Sequence, residues 1–310
     1  MSSLLVLGIV LLATFSAADL VLAAFLALAW HALLKRLRLT STDLLALRLL
    51  PVAGSLLIAV TIVLPAFLSY EPHQDREAIG PLLAILAAFA LLTLGQGIWR
   101  GWRACAAARS LLRRCGATRH SAVENGHRVE VVKGEPITAV IGVWRPRVIT
   151  AECIISACTR EEFRQVVAHE AAHLSARDNL KLLLLLACPD ALAWTELGAI
   201  LSERWRSAAE FAADQRAAGD DPEKRLALAS ALIKVARLFA ASHRARPELT
   251  MWVARDDVEG RVRRLLAPAE ASSAKIGRAL VWSALLLPVA ALPLYAVVHE
   301  VIEILVRFGR

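Results

Sequence analysis

Four apolar runs dominate this sequence: Leu4 to Trp30, Leu49 to Tyr70, Pro81 to Trp99 and Ala279 to Val298. Each approaches or exceeds the ~20 residues that a helix rising about 1.5 Å per residue needs to cross a bilayer. Inside lipid every backbone polar group must find its partner within the protein, so such runs predict helices. The chain is 57% hydrophobic and only 21% charged, with a mean hydropathy of +0.53. A purely soluble globular chain and a disordered one are both excluded. Its 310 residues leave room for a soluble part with its own core. The first run competes with a signal-peptide reading. No basic residue precedes it and three further runs follow, so it is expected to be retained as a span.

A net charge of +8 would point to nucleic acid in a soluble chain. Here the excess sits in two places: Lys35, Arg36 and Arg38 against Asp43, and Arg100, Arg103, Arg109, Arg113, Arg114 and Arg119 with no acid between them. Both flank apolar runs, and basic flanks stay on the cytoplasmic side. Residues 100–278 are therefore expected in the cytoplasm, with the connection Glu71 to Gly80 and both termini outside. No direct nucleic-acid partner is expected; membrane lipid is.

The five cysteines contain no CxxC pair, which indicates neither a disulfide framework nor a cysteine-based zinc knuckle. Asp19 lies within the first run. It reads either as a functional acid or as a structural partner for Arg48 or Gln96 on a neighbouring helix.

The chemistry-bearing pattern is His169-Glu170-Ala171-Ala172-His173, an HExxH motif. On a helix, positions i and i+4 lie one above the other, so two imidazoles reach one metal ion with the glutamate beside it. A helix is independently expected there: Thr159-Arg160-Glu161-Glu162 has the form of a capping box, and neither proline nor glycine follows before Leu174. Downstream, Glu210-Phe211-Ala212-Ala213-Asp214 forms ExxxD. Taken alone these acids would read as a solvated helix face near Arg204, Arg206 and Arg216. After HExxH, Glu210 reads as the third ligand of a single catalytic Zn2+ and Asp214 as the acceptor that orients a ligand imidazole.

This assignment constrains the apolar stretch Leu182 to Ile200. If it crossed the bilayer, Glu210 would be separated from both histidines. Asp190 and Glu196 interrupt it, so it is expected as a helix buried in the domain or lying against the membrane.

The HEAAH motif with Asp178, the EFAAD motif, and the layout of three spans, protease segment and one further span resemble the BlaR/MecR-type membrane metallopeptidases, metallopeptidase family fifty-six. Glu71-Pro72, the segment Gly142 to Ile149 and the segment Gly260 to Leu266 add weaker likenesses. The resemblance implies a mainly α fold: a multi-span α-helical membrane protein with a cytoplasmic zincin-like (gluzincin) α+β metalloprotease domain. Residues 1–99 would hold three transmembrane helices, 100–278 the protease domain, and 279–310 a fourth helix and tail. Antibiotic-sensing members carry a large extracellular penicillin-binding domain after the last span, whereas little sequence follows span four here. The expectation is the membrane-protease module without that sensor, in a bacterial inner membrane.

The implied activity is a zinc endopeptidase acting in signal transduction on a cytoplasmic protein, either a repressor or itself, with oligomers open. Glu170 would be the general base. Arg261, by its match to the family's arginine, is the candidate oxyanion donor, with His243 a weaker one. Both tyrosines, Tyr70 and Tyr295, fall in spans. Val140 to Thr150, with Pro146, is the expected edge strand for an extended substrate. His31, His73, His120 and His127 read as interfacial or loop residues. Two alternatives stand beside this reading: a quality-control protease of the HtpX/Ste24 kind, and a catalytically silent signalling scaffold.

Overall fold

The computed structural model describes residues 3–32, 34–37, 39–70, 80–116, 120–241 and 258–267. The expected fourth span, Glu71-Pro72, His73 and His243 lie outside the described residues. The described chain is mainly helical, with one small sheet. It divides into two compact units. One holds the described residues up to Gly101 together with Leu185–Arg204; the other holds those of Trp102–Leu184 and from Trp205 onward.

The first unit is built on α1 (Ser3–Ala32), α2 (Ser41–Ile58), which runs through a π-helical turn at Ala59–Val63 into α3 (Leu64–Tyr70), and the part of α4 (Pro81–Gly116) up to Gly101. Three helical stretches, Leu4–Ala32, Ser41–Leu68 and Pro81–Arg114, are long and apolar enough to cross a membrane. Many of their large side chains, Phe25, Leu28, Ile85 and Ile98 among them, face outward, which suits lipid as the solvent. The second helix starts at a capping box: Thr40 Oγ1 accepts from the Asp43 amide, and Asp43 Oδ2 accepts from the Thr40 amide at 2.9 Å.

The stretch Leu182 to Ile200 is not one helix. Helix α7 (Asp178–Ala187) stops before Pro189, a 3-10 turn follows at Ala191–Trp194, and α8 (Glu196–Ala218) begins after it. Asp190 starts the turn, accepting from the Ala193 amide at 2.9 Å. It is fully buried and paired with Arg48. Asp19 Oδ2 accepts from the backbone amide of Ala191 at 2.7 Å. The expected pairing of Asp19 with Arg48 or Gln96 is thus corrected. A turn buried among apolar helices leaves amides that need acceptors, and Asp19 serves one while Arg48 serves Asp190. Arg100 Nη2 adds a bond to the Cys188 carbonyl at 3.0 Å. Gly97 lets Ala187 approach so closely that a Cβ there would strike its carbonyl.

The second unit carries β1 (His120–Glu124), β2 (His127–Val132), β3 (Thr138–Ile141) and β4 (Arg147–Ala151) in the order β1-β2-β4-β3. The β1–β2 hairpin turns on Asn125 and Gly126, both at positive φ (50° and 74°), the pairing such two-residue turns favour. Strand β4 lies parallel to β2 and antiparallel to β3. The expected edge strand, Val140 to Thr150, is therefore two strands. Only β3 is at the edge; β4 is interior, and Pro146 sits in the turn between them, where its missing N–H costs no ladder bond. His120 and His127 lie in strands rather than loops.

Alternation along the strands divides the core between two faces. Val129, Val140 and Val148 pack with Phe163, Val167 and Leu174 of α6 (Arg160–Ala176). Val132, Ile141, Ile149 and Ala151 pack with Ala108, Leu111 and Leu112, from the end of α4. A short α5 (Glu152–Ala157) links β4 to α6. Helix α9 (Pro222–Ala241) and α10 (Val258–Leu266) join the end of α8 through Ala218, Leu228, Ala229, Val262 and Leu265.

Candidate metal centre

Helix α6 begins as its sequence predicts. Thr159 Oγ1 accepts from the Glu162 amide at 3.3 Å, and Glu162 Oε2 accepts from the Thr159 amide at 2.7 Å. Ser230 and Lys234 of α9 also donate to that carboxylate, at 2.5 and 2.6 Å. Burial alone would raise its pKa; these donors outweigh it and hold Glu162 at about 2.

Two turns farther along, His169 and His173 present their rings edge to face, with centroids 4.7 Å apart. Their Nε2 atoms are 3.2 Å apart. Glu210 arrives from α8, with Oε2 3.3 Å from His169 Nε2 and Oε1 3.3 Å from His173 Nε2. An ion bound tetrahedrally at about 2.0–2.1 Å requires ligand atoms roughly 3.3 Å apart. Among the described residues, these are the three groups whose ligand atoms gather closely enough to hold a metal ion, all within 4.8 Å of one another.

The surrounding carboxylates are organised by Arg261 of α10. Its Nε donates to Asp214 Oδ2 at 2.8 Å, its Nη2 to Asp214 Oδ1 at 2.6 Å, and its Nη1 lies 3.0 Å from Glu210 Oε2. All three residues are largely buried. Asp214 Oδ1 also lies 2.9 Å from His169 Nδ1, although that nitrogen is not aligned for a hydrogen bond. On the other imidazole, His173 Nδ1 is 2.8 Å from Asp178 Oδ2. Lys181 Nζ donates to the second oxygen of Asp178 at 2.8 Å.

Burial opposes charge on both imidazoles, but the neighbouring carboxylates prevail. His169 is raised by Asp214 and Glu210, and His173 is pushed up to about 10 by Asp178 and Glu210. Burial likewise opposes ionisation of Glu210 and Asp214, yet the two histidines and Arg261 hold both below the usual carboxylate range. Glu170 is raised by its burial, with the histidine charges working against the shift. A carboxyl poised upward beside a metal site is suited to taking and returning a proton.

The pattern of the family described as BlaR1 peptidase M56 matches residues 78–265. The chain belongs to the BlaR1 peptidase M56 family. Members are metallopeptidases, and the matched span contains every residue of the cluster just described. No curated protein matches the chain.

As a BlaR1 peptidase family member the chain brings together six of the residues singled out from its sequence: His169, Glu170, His173, Glu210, Asp214 and Arg261. Asp178 is the residue whose contact was not foreseen. Its signal was the HEAAH motif followed at five residues by an acid. That spacing brings the two side chains together only because α6 ends at Arg177 in the left-handed conformation (φ 53°), which turns the chain back toward its last turn.

Proposed function

We propose that this protein is an integral membrane zinc endopeptidase of the BlaR/MecR type. The observation that carries the reading is the mutual spacing of 3.2–3.3 Å among His169 Nε2, His173 Nε2 and the Glu210 carboxylate. Two histidines and one glutamate are a standard set for catalytic zinc, leaving one position open. Zinc bound there supplies a Lewis acid that polarises a peptide carbonyl and lowers the pKa of water. Glu170, raised by burial and next to both histidines, accepts the water proton and returns it to the leaving amine. Arg261 keeps Glu210 in place, and Asp214 sets a negative charge 2.9 Å from His169 Nδ1. Arg261, whose Nε and both Nη groups face the Asp214 and Glu210 carboxylates and whose Nη2 also lies 3.4 Å from His169 Nε2, acts in this reading as a positioning residue.

The extended substrate pairs with β3, whose outer side has no strand neighbour among the described residues. The arginines between Arg100 and Arg119 favour a cytoplasmic protease domain with both termini outside. A cytoplasmic protein is then the substrate, a transcriptional repressor or the protease itself, and cleavage serves signal transduction.

The test is cleavage of an unstructured protein such as casein by the zinc-loaded, detergent-solubilised protein, alongside Glu170→Ala and Glu210→Ala. Glu170→Ala should keep its zinc and lose cleavage; Glu210→Ala should lose both. Equal cleavage by the Glu170→Ala form overturns the mechanism, and undiminished zinc in Glu210→Ala removes Glu210 from the site.

A further inference from the structure

The outer side of β3 is already engaged by a side chain. The Ile137 carbonyl accepts from the Ala151 amide at 2.7 Å, so the odd-numbered residues of β3 direct their backbone groups toward β4. Thr138 and Val140 therefore direct theirs outward. The Val140 carbonyl and that of Gly142, just past the strand end, both accept from Asn179 Nδ2, at 2.9 and 2.8 Å. Gly142 has φ +102°, a conformation open to glycine that turns the chain at this point.

Asn179 immediately follows Asp178, the residue that holds His173. One dipeptide at the start of α7 thus touches a predicted metal ligand with its first side chain and the sheet edge with its second. An extended peptide added to β3 would direct its own N–H groups at the outward Val140 carbonyl and onward toward Gly142. The Asn179 carboxamide stands in their place. It is only half-buried, and its bonds are between neutral groups, which a peptide amide can replace one for one.

We propose that Asn179 is a latch on the substrate edge, occupying the acceptors that a bound peptide needs and withdrawing when a peptide pairs with β3. It sets specificity, because only segments able to supply N–H groups in the right register displace it. The proposal rests on the metallopeptidase reading above and assigns that site its gate.

The test separates the two readings by measuring binding without turnover. A fluorescein-labelled, unstructured casein peptide is titrated into the full-length, zinc-loaded Glu170→Ala protein in detergent, with Asn179 either intact or changed by a second substitution, Asn179→Ala or Asn179→Asp. Neither replacement can donate to the carbonyls, and both are expected to bind the peptide about three- to tenfold more tightly at unchanged zinc content. In the Glu170 protein, Asn179→Ala should lower KM by a similar factor and leave kcat within about twofold. Equal or weaker peptide binding in either variant, or no peptide binding by any form, overturns the latch. Should Asn179→Ala unfold, Asn179→Asp alone decides. Failure of the metallopeptidase reading is seen separately, as absence of cleavage by the zinc-loaded protein with Glu170 and Asn179 intact.

Discussion

Asp178 Oδ2 stands 2.8 Å from Nδ1 of His173, five residues earlier in the chain. The contact fixes the ring so that Nε2 points at His169 and Glu210, and it crosses the end of α6 rather than running along one helical face. A carboxylate on the far nitrogen of a ligand imidazole both orients the ring and raises its basicity.

Removing that carboxylate should weaken the metal site without dismantling it. Asp178→Ala is expected to lose about 10- to 100-fold in zinc affinity, measured by competition with a chromophoric chelator. Asp178→Asn should fall between the two, since it keeps the shape and loses the charge.

Arg261 ties Asp214 and Glu210 together in a buried site. Arg261→Met leaves two buried carboxylates without their cation, a change that typically costs about 3–5 kcal/mol. Its melting temperature should drop sharply in the metal-free protein and recover in part with zinc. Arg261→Lys retains charge but not the two-pronged contact with Asp214, and should rank between the parent and Arg261→Met.

Proton and metal compete for His173. In the metal-free protein its pKa is raised from 6.5 to about 10, because Asp178 and Glu210 outweigh its burial. A raised folded-state pKa stabilises the fold fully below the unfolded value of 6.5 and loses that contribution as pH rises through about 10. Metal-free stability should therefore decline across that window in the parent more than in His173→Gln. Zinc affinity should run the opposite way, rising with pH as protons leave. Calorimetry in buffers of different ionisation enthalpy should register proton release on zinc binding.

In the first unit, Arg48 and Asp190 form a buried pair at the turn between α7 and α8. Arg48→Met alone, or Asp190→Leu alone, strands one charge and should destabilise by about 3–5 kcal/mol. The double variant should regain most of the loss, as replacement of a buried pair by apolar groups is often near neutral. Thermal unfolding of all four forms in the same detergent gives the coupling directly. Strict additivity of the two single losses would show that the pair does not act as a unit.

Features that depend on residues close in the chain were legible beforehand. Apolar runs of bilayer length identified three helices long and apolar enough to cross a membrane, and the helical period put His169 and His173 on one face. The Thr159 and Glu162 spacing marked where their helix starts. ExxxD named Glu210 and Asp214 because the residue types a metal needs are few and a helix repeats every three to four positions.

What the chain could not declare locally was which distant groups would meet. Asp190 took Arg48 and left Asp19 to a backbone amide, because the buried turn at Ala191–Trp194 had donors to satisfy. Strand order put β4 inside and β3 at the edge, a matter of pairing partners rather than of composition. Arg261 became a clamp on two carboxylates only once α10 had packed beside α8. Sequence by itself determined the long apolar helices, the two-histidine face and the carboxylate kind of the third group beside it, since periodicity and residue type are local properties. Tertiary structure alone decided which atoms surround those residues and which strand lies at the sheet edge, since burial favours a partner for a polar group wherever in the chain that partner lies.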